Sequence, residues 1–164
     1  MVNQISLSRD SARLPDDVTC MELALAEARL AADAGEVPVG ALVINNGEII
    51  GRAGNRNLRD HDPTAHAEIL ALRQAAQHLG NHRLTGCTLY ATIEPCAMCA
   101  GAVAMARVAR IVFAACDPKG GAVLHGPRFF EQPTCHHRPQ IEQLDHHAVE
   151  AGDILKDFFR ARRV

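Results

Sequence analysis

Two short motifs contain the side chains with the clearest chemical potential. His66-Ala67-Glu68 and Pro95-Cys96-Ala97-Met98-Cys99 each follow a predicted loop and open a predicted helix. Cys96 and Cys99 are three residues apart, so one helical face presents both sulfurs about one turn apart. The partial positive charge of a helix N-terminus favours the thiolate form, which binds zinc. Two thiolates and one imidazole leave the fourth position of zinc open, and this is typical of a catalytic site.

Glu68, two residues after His66, completes the predicted chemistry. Residues two apart differ by about 200° around a regular helix, so these two side chains can share a site only off the helix end. We therefore expect the metal to lie between two helix N-termini. Zinc lowers the pKa of its water to near 7, which yields hydroxide that can attack a ring carbon bearing an amine. The Glu68 carboxylate would move the water's proton to a ring nitrogen and then to the leaving ammonia.

The Cys-x-x-Cys motif alone is also consistent with a redox pair, a structural zinc site or chance. A redox pair normally follows the first strand of a βαβ unit and has no need of His-x-Glu. A structural zinc would need a fourth protein ligand, which one of the histidine pairs, Cys87, Cys116 or Cys135 could supply. The two motifs together, each opening a helix, favour the catalytic zinc site.

The elements that must position these motifs alternate along the chain. Periodicity and capping residues predict a helix ending at Gly35 and further helices over 62–79, 95–105 and 147–162. Strands are predicted over 39–44, 87–93, 109–115 and 141–144, with a hairpin turn at Asn46-Gly47 before Ile49-Ile50, and residues 116–140 are predicted to be a loop. This pattern predicts an α/β protein, a three-layer α/β/α sandwich with a mixed central sheet of about five strands.

Composition limits the cellular setting and the partners. The chain has 164 residues, 48% of them hydrophobic, and fits one domain with a core. The net charge of -2 provides no global basic field, so a nucleic acid must be met by a local patch or by shape. Six cysteines in an Ala-rich chain without a signal peptide favour reduced thiols in the cytoplasm. No run approaches the roughly 20 apolar residues of a membrane span. We expect residues 1–15 to be a disordered tail and 16–164 a single zinc deaminase domain.

Longer stretches around the motifs resemble the bacterial tRNA-specific adenosine deaminases of the cytidine/deoxycytidylate deaminase superfamily. The pattern H-x-E…P-C-x-x-C is the signature of zinc nucleobase deaminases. The likeness extends from about Val18 through the stretches 36–41, 54–56, 60–69, 94–102, 117–122 and 157–163. The segment 124–140 differs from the enterobacterial version and looks more like another branch of the same family, which leaves the zinc chemistry unaffected.

The resemblance implies a cytidine-deaminase-like homodimer that binds one Zn²⁺ per subunit. Such an enzyme is a hydrolase acting on C–N bonds of cyclic amidines. Its substrate would be the anticodon stem-loop of an arginine tRNA, whose wobble adenosine is flipped into the pocket and converted to inosine. The zinc ligands would be His66, Cys96 and Cys99, with Glu68 as the catalytic proton shuttle.

The resemblance also implies a set of substrate contacts. Asn55 would hydrogen-bond the base, and the Ala65 backbone would read the base edge. The remaining implied contacts are Val37 and Ile93 as pocket walls, Asp117 and Lys119 on an RNA-facing loop, and Phe158, Phe159, Arg162 and Arg163 against flanking nucleotides. Basic residues beside aromatic ones suit stacked single-stranded RNA, although the same residues would also suit a terminal helix held on the domain by its Phe pair.

Three alternative functions remain open at this point. A free-base or nucleoside deaminase acting on guanine, cytosine or cytidine would keep the zinc ligands and Glu68 but would not need the basic terminal helix. A non-catalytic RNA-binding partner subunit would not need Glu68. A structural zinc module would show a fourth protein ligand.

Overall fold

A computed structural model describes residues 15–163 of the chain. Residues 1–14, which make up most of the predicted tail, and residue 164 lie outside the described residues. The helices are α1 (Asp17–Asp33), α2 (Asn57–Asp60), α3 (Ala67–Leu79), α4 (Ala97–Ala106) and α5 (Ala148–Arg160). The strands are β1 (Gly40–Asn45), β2 (Glu48–Gly54), β3 (Thr88–Ile93), β4 (Arg110–Ala115) and β5 (Gln140–Gln143).

The five strands form one mixed sheet in the order β2-β1-β3-β4-β5. The hairpin β1–β2 is antiparallel, and so is the β1–β3 pair, whereas β3, β4 and β5 run parallel. The turn of the hairpin falls at Asn46-Gly47, where both residues have positive φ as such a turn requires. The predicted mixed sheet of five strands is confirmed.

Helices cover both faces of this sheet. Alternate strand residues such as Val43 and Phe113 belong to the core shared with α3 and α4, while their neighbours Leu42 and Val112 belong to the core shared with α1 and α5. One close approach fixes the spacing of these layers: a Cβ atom at Gly40 would lie 1.9 Å from the Ala24 carbonyl oxygen of α1. The predicted three-layer α/β/α sandwich is therefore confirmed.

Several predicted boundaries differ from the observed ones. The second long helix begins at Ala67, because the Asp62 carboxylate accepts the backbone N–H of Thr64 in a turn that uses up the residues after Pro63. The short helix α2 was not predicted, and a 3₁₀ turn, Phe129–Glu131, interrupts the predicted loop. All six cysteines are free. In the described part of the chain, no helix has both the length and the apolar character to cross a membrane.

Candidate active site

The three predicted zinc ligands meet between the N-termini of α3 and α4. His66 is the N-cap of α3 and Cys96 is the N-cap of α4, and both have extended backbones. His66 Nδ1 lies 3.6 Å from the Sγ atom of Cys96 and 3.6 Å from that of Cys99. Tetrahedral zinc, with bonds of about 2.3 Å to sulfur and about 2.0–2.1 Å to nitrogen, separates such atoms by about 3.6 Å. The spacing and chemistry of these donors therefore fit zinc.

This cluster contains three protein ligands and not four. Within residues 15–163, no further His, Cys, Asp or Glu atom joins the group of His66, Cys96 and Cys99 at ligand spacing. Cys87 and Cys135 are buried in the core, and Cys116 clusters with a different set of side chains. An incomplete protein shell is the pattern of a catalytic site, which keeps one position for water or substrate.

In the metal-free cluster, the three side chains differ in how readily they lose their protons. The hydrogen bond from Cys99 lowers the pKa of the Cys96 thiol to about 4 against the opposing effect of burial, and His66 contributes to the same lowering. The hydrogen bond to Cys96 raises the pKa of Cys99, and burial adds to that rise. The pKa of His66 is also raised, mainly by its hydrogen bond with Cys96. The metal-free protein therefore holds a thiolate at neutral pH, which is the form that binds zinc.

Glu68 lies in the first turn of α3, and only 4% of the residue is exposed. Its side chain borders the same pocket as His66 and Cys96 but is not part of the ligand group. Burial raises the pKa of the Glu68 carboxyl above its ordinary value. A raised pKa makes the carboxylate a better proton acceptor, which suits a group that must take up protons and pass them on.

A pocket of about 250 Å³ surrounds this cluster. Five of the predicted substrate contacts line it: Val37, Asn55, Ile93, Asp117 and Phe159. The Asn55 Oδ1 atom accepts the Ala67 backbone N–H at 2.8 Å, so the polar group left for the pocket is the side-chain NH₂, a donor.

Ala65 is placed differently from the other predicted contacts. It is fully buried and is not among the residues that line the pocket. Its N–H donates to the Asp62 carbonyl, and its carbonyl accepts the Arg56 N–H. The backbone of Ala65 therefore supports the loop that carries Asn55 and His66.

The chain is similar to known deaminases over most of its length. Residues 15–163 match the model of the MafB19-like deaminase family. The chain is 51% identical over 144 residues to the tRNA-specific adenosine deaminase of Agrobacterium fabrum, which covers 88% of this chain and 94% of that relative. The chain belongs to the tRNA-specific adenosine deaminase family.

Solved structures agree with this family assignment. A structure from work on A-to-I editing by tRNA:A34 deaminases superposes with a TM-score of 0.82 and 50% identity, covering 84% of this chain and 99% of that one. Guanine deaminase from Bacillus subtilis has the same fold but is more distant, with a TM-score of 0.62 and 30% identity over 92% of this chain and 96% of that one.

A groove of about 750 Å³ adjoins the active-site pocket of this deaminase. The two cavities share Asp117, Leu155 and Phe159 in their walls. The groove is lined by four cationic side chains, Lys119, Lys156, Arg160 and Arg163. This patch supplies local positive charge on a chain whose net charge is -2.

The aromatic pair of α5 is divided between the groove and the core. Phe159 is 44% exposed and lines the groove, whereas Phe158 is only 9% exposed. The Arg162 guanidinium lies 3.5 Å from the centroid of the Phe158 ring and donates to the Phe158 carbonyl. The structure thus brings Phe159 and Arg163 to the groove, while Phe158 is buried and Arg162 stacks on its ring.

Sequence reasoning missed two buried carboxylates beside the pocket. Glu36 is 1% exposed and accepts the backbone N–H of Arg59, and so holds α2, whose first residue Asn57 lines the pocket. Glu94 is 3% exposed; burial opposes its ionisation, but the Asp117 N–H and the His125 ring outweigh burial, and the pKa of Glu94 is lowered. Each of these acids is next in sequence to an apolar residue that lines the pocket, Val37 or Ile93. A single acidic residue beside such an apolar residue is the sequence signal that could have identified them.

Proposed function

We propose that this chain is a zinc-dependent hydrolase that converts the wobble adenosine of an arginine tRNA anticodon to inosine. One observation carries the proposal: the pocket that holds Glu68 and the ligand cluster adjoins a groove lined by four cations and Phe159. The pocket alone would suit any nucleobase deaminase. The groove suits nucleotides on either side of the target base, whose phosphates need cations and whose bases stack on aromatic rings. The tRNA substrates named for the relatives support the same choice.

The chain's own residues account for the proton transfers. Zinc, when held by His66, Cys96 and Cys99, supplies the Lewis acid that activates a water molecule. Glu68 takes one proton from the attacking water and delivers it to the ring nitrogen. It then takes the second proton, from the hydroxyl now bonded to the ring carbon, and delivers it to the amine, which leaves as ammonia. The Asn55 NH₂ group donates to an acceptor on the base and holds the reacting carbon beside Glu68.

The size of the pocket explains why the target base must leave its stack. A cavity of about 250 Å³ accommodates one base and excludes a duplex. Bases in a single-stranded anticodon loop can be splayed out at low cost, whereas a paired base must first be unpaired and unstacked. The wobble position of an anticodon loop meets this requirement.

We also propose that the enzyme is a cytoplasmic homodimer. Met105 on α4 is 81% exposed, and Met98 on the same helix is 36% exposed. Beside them, Phe129 and Gly101 border a shallow pocket of about 110 Å³. An apolar surface of this kind supports contact with a second copy. Light scattering should give twice the chain mass for wild type and a single chain mass for Met105→Lys.

The test is a deamination assay with purified, zinc-loaded protein. An anticodon stem-loop of arginine tRNA carrying a wobble adenosine is compared with free adenosine, guanine, cytosine and cytidine, and inosine and ammonia are measured. Glu68→Ala should keep one zinc per chain and lose turnover, while Glu22→Ala on the exposed side of α1 should change neither.

The outcomes separate the candidate functions. Inosine formed only in the stem-loop supports tRNA editing. Ammonia from guanine or another free base, and none from RNA, would replace the tRNA substrate with a free base, as in the structurally similar guanine deaminase. Loss of zinc in Glu68→Ala would contradict the role of Glu68 as a shuttle that does not bind the metal.

A further inference from the structure

The buried carboxylate of Glu94 is surrounded by donors from one downstream segment. Its Oε1 atom accepts the backbone N–H groups of Val123, Leu124 and His125 at 3.1, 2.7 and 2.9 Å. Its Oε2 atom accepts the Asp117 N–H at 3.0 Å and lies 2.7 Å from His125 Nδ1. Both oxygens are thus occupied by protein groups, although Glu94 borders the active-site pocket.

The backbone of the same segment packs closely against this carboxylate. A Cβ atom at Gly121 would lie 2.6 Å from the Glu94 carboxyl carbon and 2.5 Å from the Asp117 carbonyl oxygen, so only glycine fits there. The next residue, Ala122, donates its N–H to the Pro95 carbonyl at 2.9 Å. Residues 117–125, here called the 117–125 segment, are therefore fastened to the residues that open α4.

Asp117 connects the 117–125 segment to the pocket and to the groove. It lines both the pocket and the groove, and its Oδ1 atom accepts the N–H groups of Lys119 and Gly120 at 3.1 and 2.9 Å. Lys119 is one of the four cations of the groove. Through the Asp117 N–H, Glu94 links Asp117 and Lys119 to the residues at the start of α4.

We propose that Glu94 is a positioning residue for RNA: it holds the 117–125 segment against the start of α4 and so keeps the cationic groove in register with the active-site pocket. This role rests on the proposed tRNA function. Glu94 acts through Asp117 and Lys119, while Glu68 and the ligand cluster perform the chemistry. Disturbing Glu94 should therefore impair the capture of RNA far more than the chemical step.

Glu94→Gln tests this role selectively. The amide keeps one oxygen for the three N–H donors of residues 123–125 but turns its NH₂ group toward the Asp117 N–H, which loses its acceptor. We expect KM for the stem-loop to rise by about tenfold to a hundredfold, the effect of losing one hydrogen bond to a charged group. We expect kcat to stay within about twofold and the zinc content at one per chain, because the pocket chemistry is untouched. A fall in stability alone would not produce this split between KM and kcat.

Two further variants change other contacts of the Glu94 carboxylate. Gly121→Ala should raise KM in the same way, because the added methyl group pushes on Glu94, while Gly152→Ala on α5 is its control, since nothing lies within 4 Å of a Cβ atom there. His125→Ala removes only a partly exposed ring and leaves the backbone donors in place. It keeps the test valid if Glu94→Gln fails to fold, and it should raise KM severalfold with kcat unchanged.

The results that would overturn the inference are distinct. If wild type edits the stem-loop and Glu94→Gln or His125→Ala has the same KM, the positioning role of Glu94 is wrong. The role is also wrong if Glu94→Gln lowers kcat or zinc content and leaves KM unchanged. If wild type forms no inosine in the stem-loop, the proposed function itself fails, and the RNA role of Glu94 falls with it.

Discussion

The cationic groove predicts a defined salt dependence of RNA binding. Arg163 is the simplest of its four cations to perturb, because it lies beyond the C-terminal end of α5 and no salt bridge to it is formed in the described part of the chain. Lys156 and Arg160 each pair with an aspartate on α5, but these pairs are mostly exposed and therefore weak. Arg83→Gln serves as the control, because it removes the same charge at an exposed site after the C-terminal end of α3.

The size of the salt dependence follows from the number of cations in the groove. Each phosphate neutralised on a single strand contributes about -0.7 to the slope of log K against log salt concentration, so four cations predict a slope of about -2.8. A fourfold rise in salt should then weaken binding about fiftyfold for wild type and about twentyfold for Arg163→Gln, whose slope should be about -2.1. Arg83→Gln should keep the wild-type slope.

Fluorescence anisotropy of a labelled stem-loop measures these slopes, with Glu68→Ala as the background to prevent turnover. Binding is titrated between about 50 and about 200 mM salt, a range over which contacts to phosphates dominate the change in affinity. The reasoning is refuted if Arg163→Gln has the wild-type slope. It is equally refuted if Arg83→Gln flattens the slope as much as Arg163→Gln does, because the effect would then reflect net charge and not the groove.

Three further predictions concern the aromatic pair, the thiolate and a part-buried ion pair. Phe159→Ala should weaken RNA binding by about 1–3 kcal/mol with an unchanged melting temperature, whereas Phe158→Ala should lower the free energy of unfolding by about 3–5 kcal/mol in denaturant titrations. In zinc-stripped protein, alkylation of Cys96 followed by mass spectrometry should stay fast in mild acid and slow only as pH falls through about 4, since the thiolate exists above that pKa. The hydrogen bond from Arg110 lowers the pKa of Asp17, so this pair stabilises the fold above the ordinary carboxyl pKa, and that contribution is lost as pH falls through the lowered value. Asp17→Asn should therefore cost about 1–3 kcal/mol in unfolding experiments at neutral pH and progressively less in acid.

The cluster of His66, Cys96 and Cys99 could be predicted from the sequence because the information that specifies it is local. Caps and short spacings place His66 and Cys96 at helix starts, and the spacing of Glu68 from His66 admits only a site off the helix end. The fold class could also be predicted, because the order of helical and strand segments along the chain is enough to predict the three layers.

Features that depend on tertiary contacts could not be predicted from the sequence in this way. Nothing in the Phe158-Phe159 pair indicates which ring faces outward; the orientation depends on how α5 packs against the sheet. The start of α3 was misplaced because the Asp62 side chain forms a turn that competes with the helix. The role of Glu94 depends on donors 23 to 31 residues downstream, and no local pattern connects them to it.

The sheet topology explains why residues so distant in sequence meet in one pocket. Because β1 runs antiparallel to both of its neighbours, the edge that holds the carboxyl ends of β2, β3 and β4 also holds the amino end of β1. Val37 precedes β1, whereas Asn55, Glu94 and Asp117 each follow the end of a strand. The N-termini of α3 and α4 lie at the same edge and bring the candidate metal ligands to it. A parallel β1 would carry Val37 to the opposite edge, so the hairpin that makes the sheet mixed is also what closes the pocket wall facing Glu68.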